Sequence, residues 1–352
     1  MPVGRGGGPV GRGGRVVPLI FFDLEGPLSP QDNAYEVMGL IPDGHRLFEV
    51  ISRYDDLLTL EGREDYEPGD TLRLIVPFLV RHGITAEDVT RVSQQAGLVP
   101  GAAELMGRLR SEEWEVHVVS TSYEQHATNI GGKLALPTAA IHCTRIAFDR
   151  LRARLSRDDL DQVAAMEQII LRDLYGDDLS SGTKDEPIRE QLDPFFWESG
   201  LAGALALPGE AVTVVGGRRK AWTMEEVARV KGASLRNAAF VGDSITDVQG
   251  ARMLESLGGL AIAFNGNAFI LPDVTVAVAA TRLDAIHPIL EAWTSGGRGQ
   301  VKRMVGGVPR PGADEGPHFH WMVGCEAAQL KEVIALHKVF RRRMREAAAK
   351  LG

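Results

Sequence analysis

Apolar positions along this chain alternate between short unbroken runs and longer stretches at helical spacing. Residues 16–22 form a continuous run rich in β-branched and aromatic side chains, which predicts a buried strand of a parallel sheet. Asp23 follows at its carboxyl end, and Pro27, Ser29 and Pro30 then break the pattern. Residues 33–95 read as mostly helical, with Val37, Leu40, Phe48, Ile51, Leu57, Leu72, Ile75 and Phe78 at helical spacings. Pro100 and Gly101 open a helix through Arg110, and 115–119 is the next apolar strand, ending in Ser120, Thr121 and Ser122. After Gly216 and Gly217 come a helix over 223–231, a strand over 238–241, a helix over 245–257, strands over 260–264 and 274–279, and a helix over 283–293. Alternating strands and helices predict an α/β fold, a Rossmann-like doubly wound parallel sheet with helices on both faces.

Three segments fall outside that alternation. Residues 139–208 read as a second, mostly helical insertion, with helical periodicity over 151–175, a polar turn over 177–185 and an aromatic cluster over 194–197. Its many acids (Asp158, Asp159, Asp161, Asp177, Asp178, Asp185, Glu186) are read as a solvated face. Residues 295–317 are rich in Gly and Pro and read as a linker. Residues 325–351 then form one long helix with a stripe of Leu330, Val333, Ile334, Phe340, Met344 and Leu351. Its basic last turns (Arg341, Arg342, Arg343, Arg345, Lys350) suit the negative end of a helix dipole. The stripe is expected to pack on the body of the protein, or on a second copy as a homodimer. The expected organisation is a disordered tail over 1–15, a core from 16–29, 99–138 and 209–294, a helical cap over 30–98, the second insertion over 139–208, the linker over 295–317 and a C-terminal helical extension over 318–352.

Charge narrows the partners. The 352 residues carry a formal net charge of −8, which argues against a nucleic-acid or membrane-surface binder. The early apolar run is too short for a membrane span or signal-peptide core, and Cys143 and Cys325 do not make a disulfide framework, so a cytoplasmic location is expected. An acidic protein that handles phosphate needs local cations or a metal.

Four segments carry candidate chemistry, each leaving a strand or opening a helix, where doubly wound sheets bind ligands. The first is Phe22-Asp23-Leu24-Glu25-Gly26: two carboxylates one residue apart, with a glycine that permits a turn. The second is Ser120-Thr121-Ser122, whose hydroxyls can donate to a phosphoryl oxygen or simply cap a helix. The third is Arg218-Arg219-Lys220, where a lysine can neutralise a transferring phosphoryl group. The fourth, Gly242-Asp243-Ser244-Ile245-Thr246-Asp247, is the most specific, with two carboxylates one helical turn apart that can face one hard cation such as Mg²⁺. His318, His320 and Cys325 do not reproduce a closed zinc pattern.

In this order the four segments resemble the motifs of the haloacid-dehalogenase superfamily: Asp-x-Asp-Gly, a Ser or Thr after a strand, a Lys, and Gly-Asp-x-x-x-Asp. The second aspartate is replaced by Glu25, and Asp-Leu-Glu-Gly looks most like the phosphoserine phosphatase and homoserine phosphotransferase branch. The resemblance implies a Mg²⁺-dependent phosphatase acting on a small phosphorylated metabolite. Asp23 would be the nucleophile that becomes an aspartyl-phosphate, and Glu25 the general acid and base. Ser120, Thr121 and Lys220 would hold the phosphate. Asp23, Asp243 and the Glu25 carbonyl would hold the metal, with Asp247 joining through water or steadying Lys220. The cap would act as a lid, with Arg53, Arg63, Arg73 and Arg81 as its available cations. Two alternatives stay open: transfer of the phosphoryl group to an acceptor alcohol, and a binding protein that kept the fold without catalysis.

Overall fold

The computed structural model describes residues 17–176, 178–199, 212–309, 312 and 315–349. The tail over 1–15, the close of the second insertion over 200–208 and residues 350–352 lie outside them. An eight-stranded sheet organises the chain: β1 (Leu19–Phe22), β2 (Glu115–Tyr123), β3 (Ile141–Ile146), β4 (Val212–Thr213), β5 (Ala238–Gly242), β6 (Leu260–Phe264), β7 (Val276–Ala279) and β8 (His318–Trp321). Their order is β4-β3-β2-β1-β5-β6-β7-β8. The six inner strands run parallel, and β4 and β8 close the two edges antiparallel. Strand β1 is wholly buried, as a run of Leu, Ile and two Phe demands. It pairs with β2 on one side and β5 on the other, so the carboxyl ends of three motif-bearing strands lie side by side.

Helices α1 (Asn33–Met38), α2 (Gly44–Glu61), α3 (Thr71–Leu74), α4 (Val76–Arg81) and α5 (Ala86–Gln94) build the cap. Helices α6 (Ala102–Ser111) and α7 (Glu124–Lys133) return to the sheet. The second insertion contributes α8 (Phe148–Arg154), α9 (Arg157–Ile169), which runs on into a π turn over Ile170–Leu174, and α10 (Asp185–Asp193). The core resumes with α11 (Arg218–Lys231), α12 (Val248–Leu257) and α13 (His287–Gly307), and the chain ends in α14 (Ala327–Ala349).

Cap and second insertion share one apolar core. Val50, Tyr54 and Phe78 from the cap lie in the same buried cluster as Met166, Phe195 and Phe196 from the insertion. The cations of the cap are spent on this contact. Arg53 grips Asp185 with two bonds of 2.9 and 2.6 Å, Arg63 reaches Asp193 at 3.5 Å, and Arg81 bonds Glu167 at 3.0 Å. Arg73 pairs with Asp70 at 3.6 Å and lies over the Trp197 ring. Part of the acidic insertion, read as a solvated face, is therefore an ion-paired interface. In a double-mutant cycle of Arg53→Ala with Asp185→Ala, the coupling energy from denaturant unfolding is expected to be about 1 kcal/mol, as for a bidentate, partly shielded pair. Coupling near zero would show that the pair holds nothing together.

Four sequence readings need correction. Residues 141–146, assigned to the second insertion, form β3 of the core sheet; His142, Thr144 and Arg145 interrupt any apolar run, and pairing with β2 and β4 makes the strand. Strand β2 does not end before the hydroxyl triplet but runs through it to Tyr123, with a register shift between Ser120 and Tyr123. The glycine-rich stretch read as the start of a linker is helical to Gly307. A kink at Gly296 and Gly297 lets α13 turn, Arg298 fastens it to Glu255 and to the Gly259 carbonyl, and Val301 is buried. The C-terminal extension opens with β8 before its helix, and the Val333, Phe340 and Met344 stripe of α14 is buried within the chain, the helix lying against β7.

Candidate active site

The first motif leaves β1 as the chain turns. The Asp23 amide donates to the Val241 carbonyl at 2.8 Å, holding the nucleophile candidate against the end of β5. Gly26 adopts φ +94°, and a Cβ there would lie 2.5 Å from the Asp243 carboxylate. Gly242 has the same relation to Asp247, whose carboxylate carbon would lie 2.7 Å from an added Cβ. Both glycines are thus required by close approach to a carboxylate.

Oxygens of Asp23, Asp243 and Asp247 lie within 4.8 Å of one another, and all three residues are buried. Among the described residues this is the only such group of metal-ligating atoms. The first turn of α11 delivers Lys220, fully buried, with its Nζ 2.9 Å from Asp23 and 2.6 Å from Asp247. Asp247 also accepts from the amides of Asp243 (2.9 Å) and Ser244 (3.0 Å), so it fixes the loop as well as the lysine. Arg218 and Arg219, next to Lys220 in sequence, turn away to the cap: the Arg218 amide donates to Glu67 at 2.8 Å, and Arg219 pairs with Asp70. These bonds tether the cap to the helix that carries the lysine.

Burial pushes the Asp23 carboxyl up to about 8, reinforced by Asp247 and Asp243 and opposed by Lys220. Burial likewise raises Asp243 to about 6, with Arg341 the main opposing influence. Burial alone would lower the Lys220 ammonium, but Asp23 and Asp247 hold it above its ordinary value. The three acids thus face two cations, Lys220 and Arg341. Buried, mutually repelling carboxylates of this kind favour a hard cation.

Glu25 sits at the same mouth. Its Oε1 accepts from the Ser122 hydroxyl and from the Asn33 amide at 3.1 Å. Burial first, then Asp32, raises its carboxyl well above the ordinary range. Ser120 is buried beside it and accepts the Ser122 amide at 3.1 Å. Thr121 lines the cavity too, but its hydroxyl donates to the Val215 carbonyl at 3.0 Å. All seven candidate residues from the sequence therefore lie together: Asp23, Glu25, Ser120, Thr121 and Asp243 line one opening, and Lys220 and Asp247 are buried behind Asp23.

That opening is a cavity of about 260 Å³ bounded by β1, β2 and β5, the cap and α14. The sequence reading took Ser122 only as one of three hydroxyls that could donate to a phosphoryl oxygen and left Arg341 out of the site. Ser122 orients Glu25, and Arg341 of α14 bonds both the Asp243 carboxylate (2.6 Å) and the Asp243 carbonyl (2.9 Å). The signal for Arg341 was present: it follows Phe340 and precedes Met344, so it flanks the buried stripe instead of opposing it. The lid arginines, by contrast, do not line the cavity. Cys325 does not join His318 and His320; its thiol points to the Glu326 carbonyl at 3.7 Å, and His337 is the residue whose ring lies beside His320.

No family model matches the chain, and no curated protein matches it by sequence. Solved structures do. A gene product from Archaeoglobus fulgidus is 29% identical and superposes at a TM-score of 0.78, over 96% of this chain and 99% of its own. A substrate-bound phosphoserine phosphatase is 16% identical over 78% of this chain and 98% of its own, at a TM-score of 0.49. A phospho-aspartyl intermediate analogue of phosphoserine phosphatase is 17% identical over 78% and 99%, at 0.48. The chain shares its α/β fold with that archaeal protein. The archaeal likeness is not confined to the sheet, since it spans nearly the whole chain. Among the described residues no helix is long and apolar enough to cross a membrane.

Proposed function

We propose that this protein is a haloacid-dehalogenase-type phosphohydrolase that cleaves a small phosphomonoester with Mg²⁺ through an aspartyl-phosphate on Asp23. One observation carries the reading: Asp23, Asp243 and Asp247 share a buried site with Lys220, while Glu25, its carboxyl raised by burial, stands at the same mouth. A nucleophile, a fixed cation and an acid are what phosphoryl transfer through a covalent intermediate requires. The donor set fits Mg²⁺: carboxylate oxygens only, close together and buried. Asp23 and Asp243 would hold the ion with Asp247 behind them, and when bound it neutralises the phosphoryl oxygens that would otherwise repel the nucleophile.

The side chains supply the remaining steps. An Asp23 carboxylate oxygen forms the new bond to phosphorus as the ester P–O bond breaks. Glu25 gives its proton to the departing alkoxide, so the alcohol leaves neutral. Lys220 stays beside Asp23 and offsets charge on the transferring group, and Ser120 offers a hydroxyl from the end of β2. Glu25, now ionised, takes a proton from a water that attacks phosphorus. The Asp23–phosphorus bond breaks, phosphate leaves, and both carboxyls return to their starting states. Ser122 and the Asn33 amide keep Glu25 aimed throughout. The free cysteines Cys143 and Cys325 are in keeping with a cytoplasmic location, which is part of the proposal.

The first test is phosphate release from p-nitrophenyl phosphate and a panel of phosphorylated metabolites with Mg²⁺. No release from any of them, together with no capture of beryllofluoride, would overturn the reading. Glu25→Gln keeps the shape but removes the proton. It is expected to lower kcat by roughly 10²–10³-fold on an alkyl phosphate and clearly less on p-nitrophenyl phosphate, whose leaving group needs little protonation. Equal losses on both substrates would exclude Glu25 as the acid.

A further inference from the structure

The cavity has an unusual division of charge. The cap brings Asp32, Asp55 and Asp56 to its wall and no cation. Its six arginines all pair with acids away from the cavity. Among the described residues that line the cavity, the cations are Arg341 and Arg345, both from α14. They stand four positions apart, on one face of the helix and about 6 Å from each other along its axis. Met344, buried between them in sequence, holds this face against the protein.

The two arginines are differently placed. Arg341 is three-quarters shielded and bonded to Asp243, so it faces the phosphoryl end. Arg345 is exposed at the outer part of the wall, where its charge acts on Asp32 and Asp243. Of the nearby acids, Asp32 is engaged as the cap of α1, accepting the Tyr35 amide at 3.1 Å. Asp55 is engaged with the Tyr66 hydroxyl at 2.5 Å and the Thr71 amide at 3.2 Å. The Arg345 guanidinium is thus exposed at the cavity wall one helical turn beyond Arg341, within reach of a ligand.

We propose that α14 is the specificity wall of this enzyme, and that Arg345 recognises a second anionic group on the substrate while Arg341 faces its phosphate. The substrate class is then a phosphomonoester with a carboxylate or a second phosphate roughly two or three bonds beyond the ester oxygen, matched to one helical turn. This rests on the phosphohydrolase reading, which supplies the phosphate end. A guanidinium fork suits either anion, and the helix presents it from outside the core and cap.

The test reads binding and needs no turnover. Full-length protein with Mg²⁺ is titrated calorimetrically with propylphosphonate, 3-phosphonopropionate and propane-1,3-bisphosphonate. At least one doubly anionic probe is expected to bind about tenfold or more tightly than propylphosphonate, and which one does so separates carboxylate from phosphate. Arg345→Gln is expected to reduce that preference, taken as the ratio to propylphosphonate binding in the same variant, to under about threefold, and Arg345→Lys to restore part of it. No preference in the wild type, or a preference that survives Arg345→Gln, would overturn the inference. Absence of phosphatase activity would count against the reaction and leave this comparison intact.

Discussion

Asp23→Asn is expected to lower kcat on p-nitrophenyl phosphate by roughly 10⁴-fold or more while the protein stays folded. The amide keeps the size of the carboxylate and can still accept the Leu24 amide bond that Asp23 makes at 2.7 Å. It cannot form an acyl phosphate. The loss should therefore be chemical and not structural, and the electrostatics support that separation. Asp23 is one of three buried acids, and burial first, then repulsion from Asp247 and Asp243, raises its carboxyl to about 8. Replacing it with a neutral group relieves repulsion on Asp243 and Asp247, while Lys220 keeps its 2.6 Å partner in Asp247. Without metal, the melting temperature of the variant should equal or exceed that of the wild type. Acid-quenched protein should carry radiolabel from a ³²P-labelled substrate in the wild type and none in the variant. Residual turnover within about a hundredfold of the wild type would remove Asp23 from the role of nucleophile.

The parts of this site that were legible in the sequence are those set by local physics. A run such as Leu19–Phe22 can only be buried, so the residue that follows it must stand at a strand end. Gly242 before Asp243, and Asp247 one turn on, announce a strand-to-helix junction with two carboxylates on one side. Lys220 was placed correctly by its position at the opening of a helix. What could not be read depends on partners distant in sequence. Strand β3 is polar and is recognisable only through its neighbours β2 and β4. The helix through Gly296–Gly307 is kept by Arg298 and Val301, since glycine itself disfavours it. Arg53, Arg63 and Arg81 read as available cations of the lid until their acids, 86 to 132 positions further along the chain, are brought to them. Arg341 was misjudged for the same reason: a basic last turn is explained well enough by the helix dipole, until the helix is seen to end over the catalytic cavity.

Lys220→Met tests the same network from the opposite sign. The lysine is fully buried between Asp23 and Asp247, and methionine fills similar space without charge. Removing one partner from a buried ionic cluster typically costs about 3–5 kcal/mol, because the acids left behind keep their desolvation and lose their compensation. A fall in melting temperature of roughly 5–15 °C in chelator is the expected scale. The pH dependence gives the sharper signature. Asp23 and Asp243, ordinarily near 3.8, sit at about 8 and about 6 in the folded protein. The folded state therefore binds more protons than the unfolded chain between about pH 4 and 8, and metal-free stability must fall as pH rises through that window. Loss of Lys220 removes the influence that holds Asp23 down, so the variant should fall more steeply and continue to fall at higher pH. Mg²⁺ replaces the missing positive charge and should recover more melting temperature in the variant than in the wild type, alongside a kcat that stays depressed. A variant with wild-type stability and an unchanged pH profile in chelator would show that these carboxylates are not held together by charge, and the electrostatic basis for phosphoryl transfer at this site would go with it.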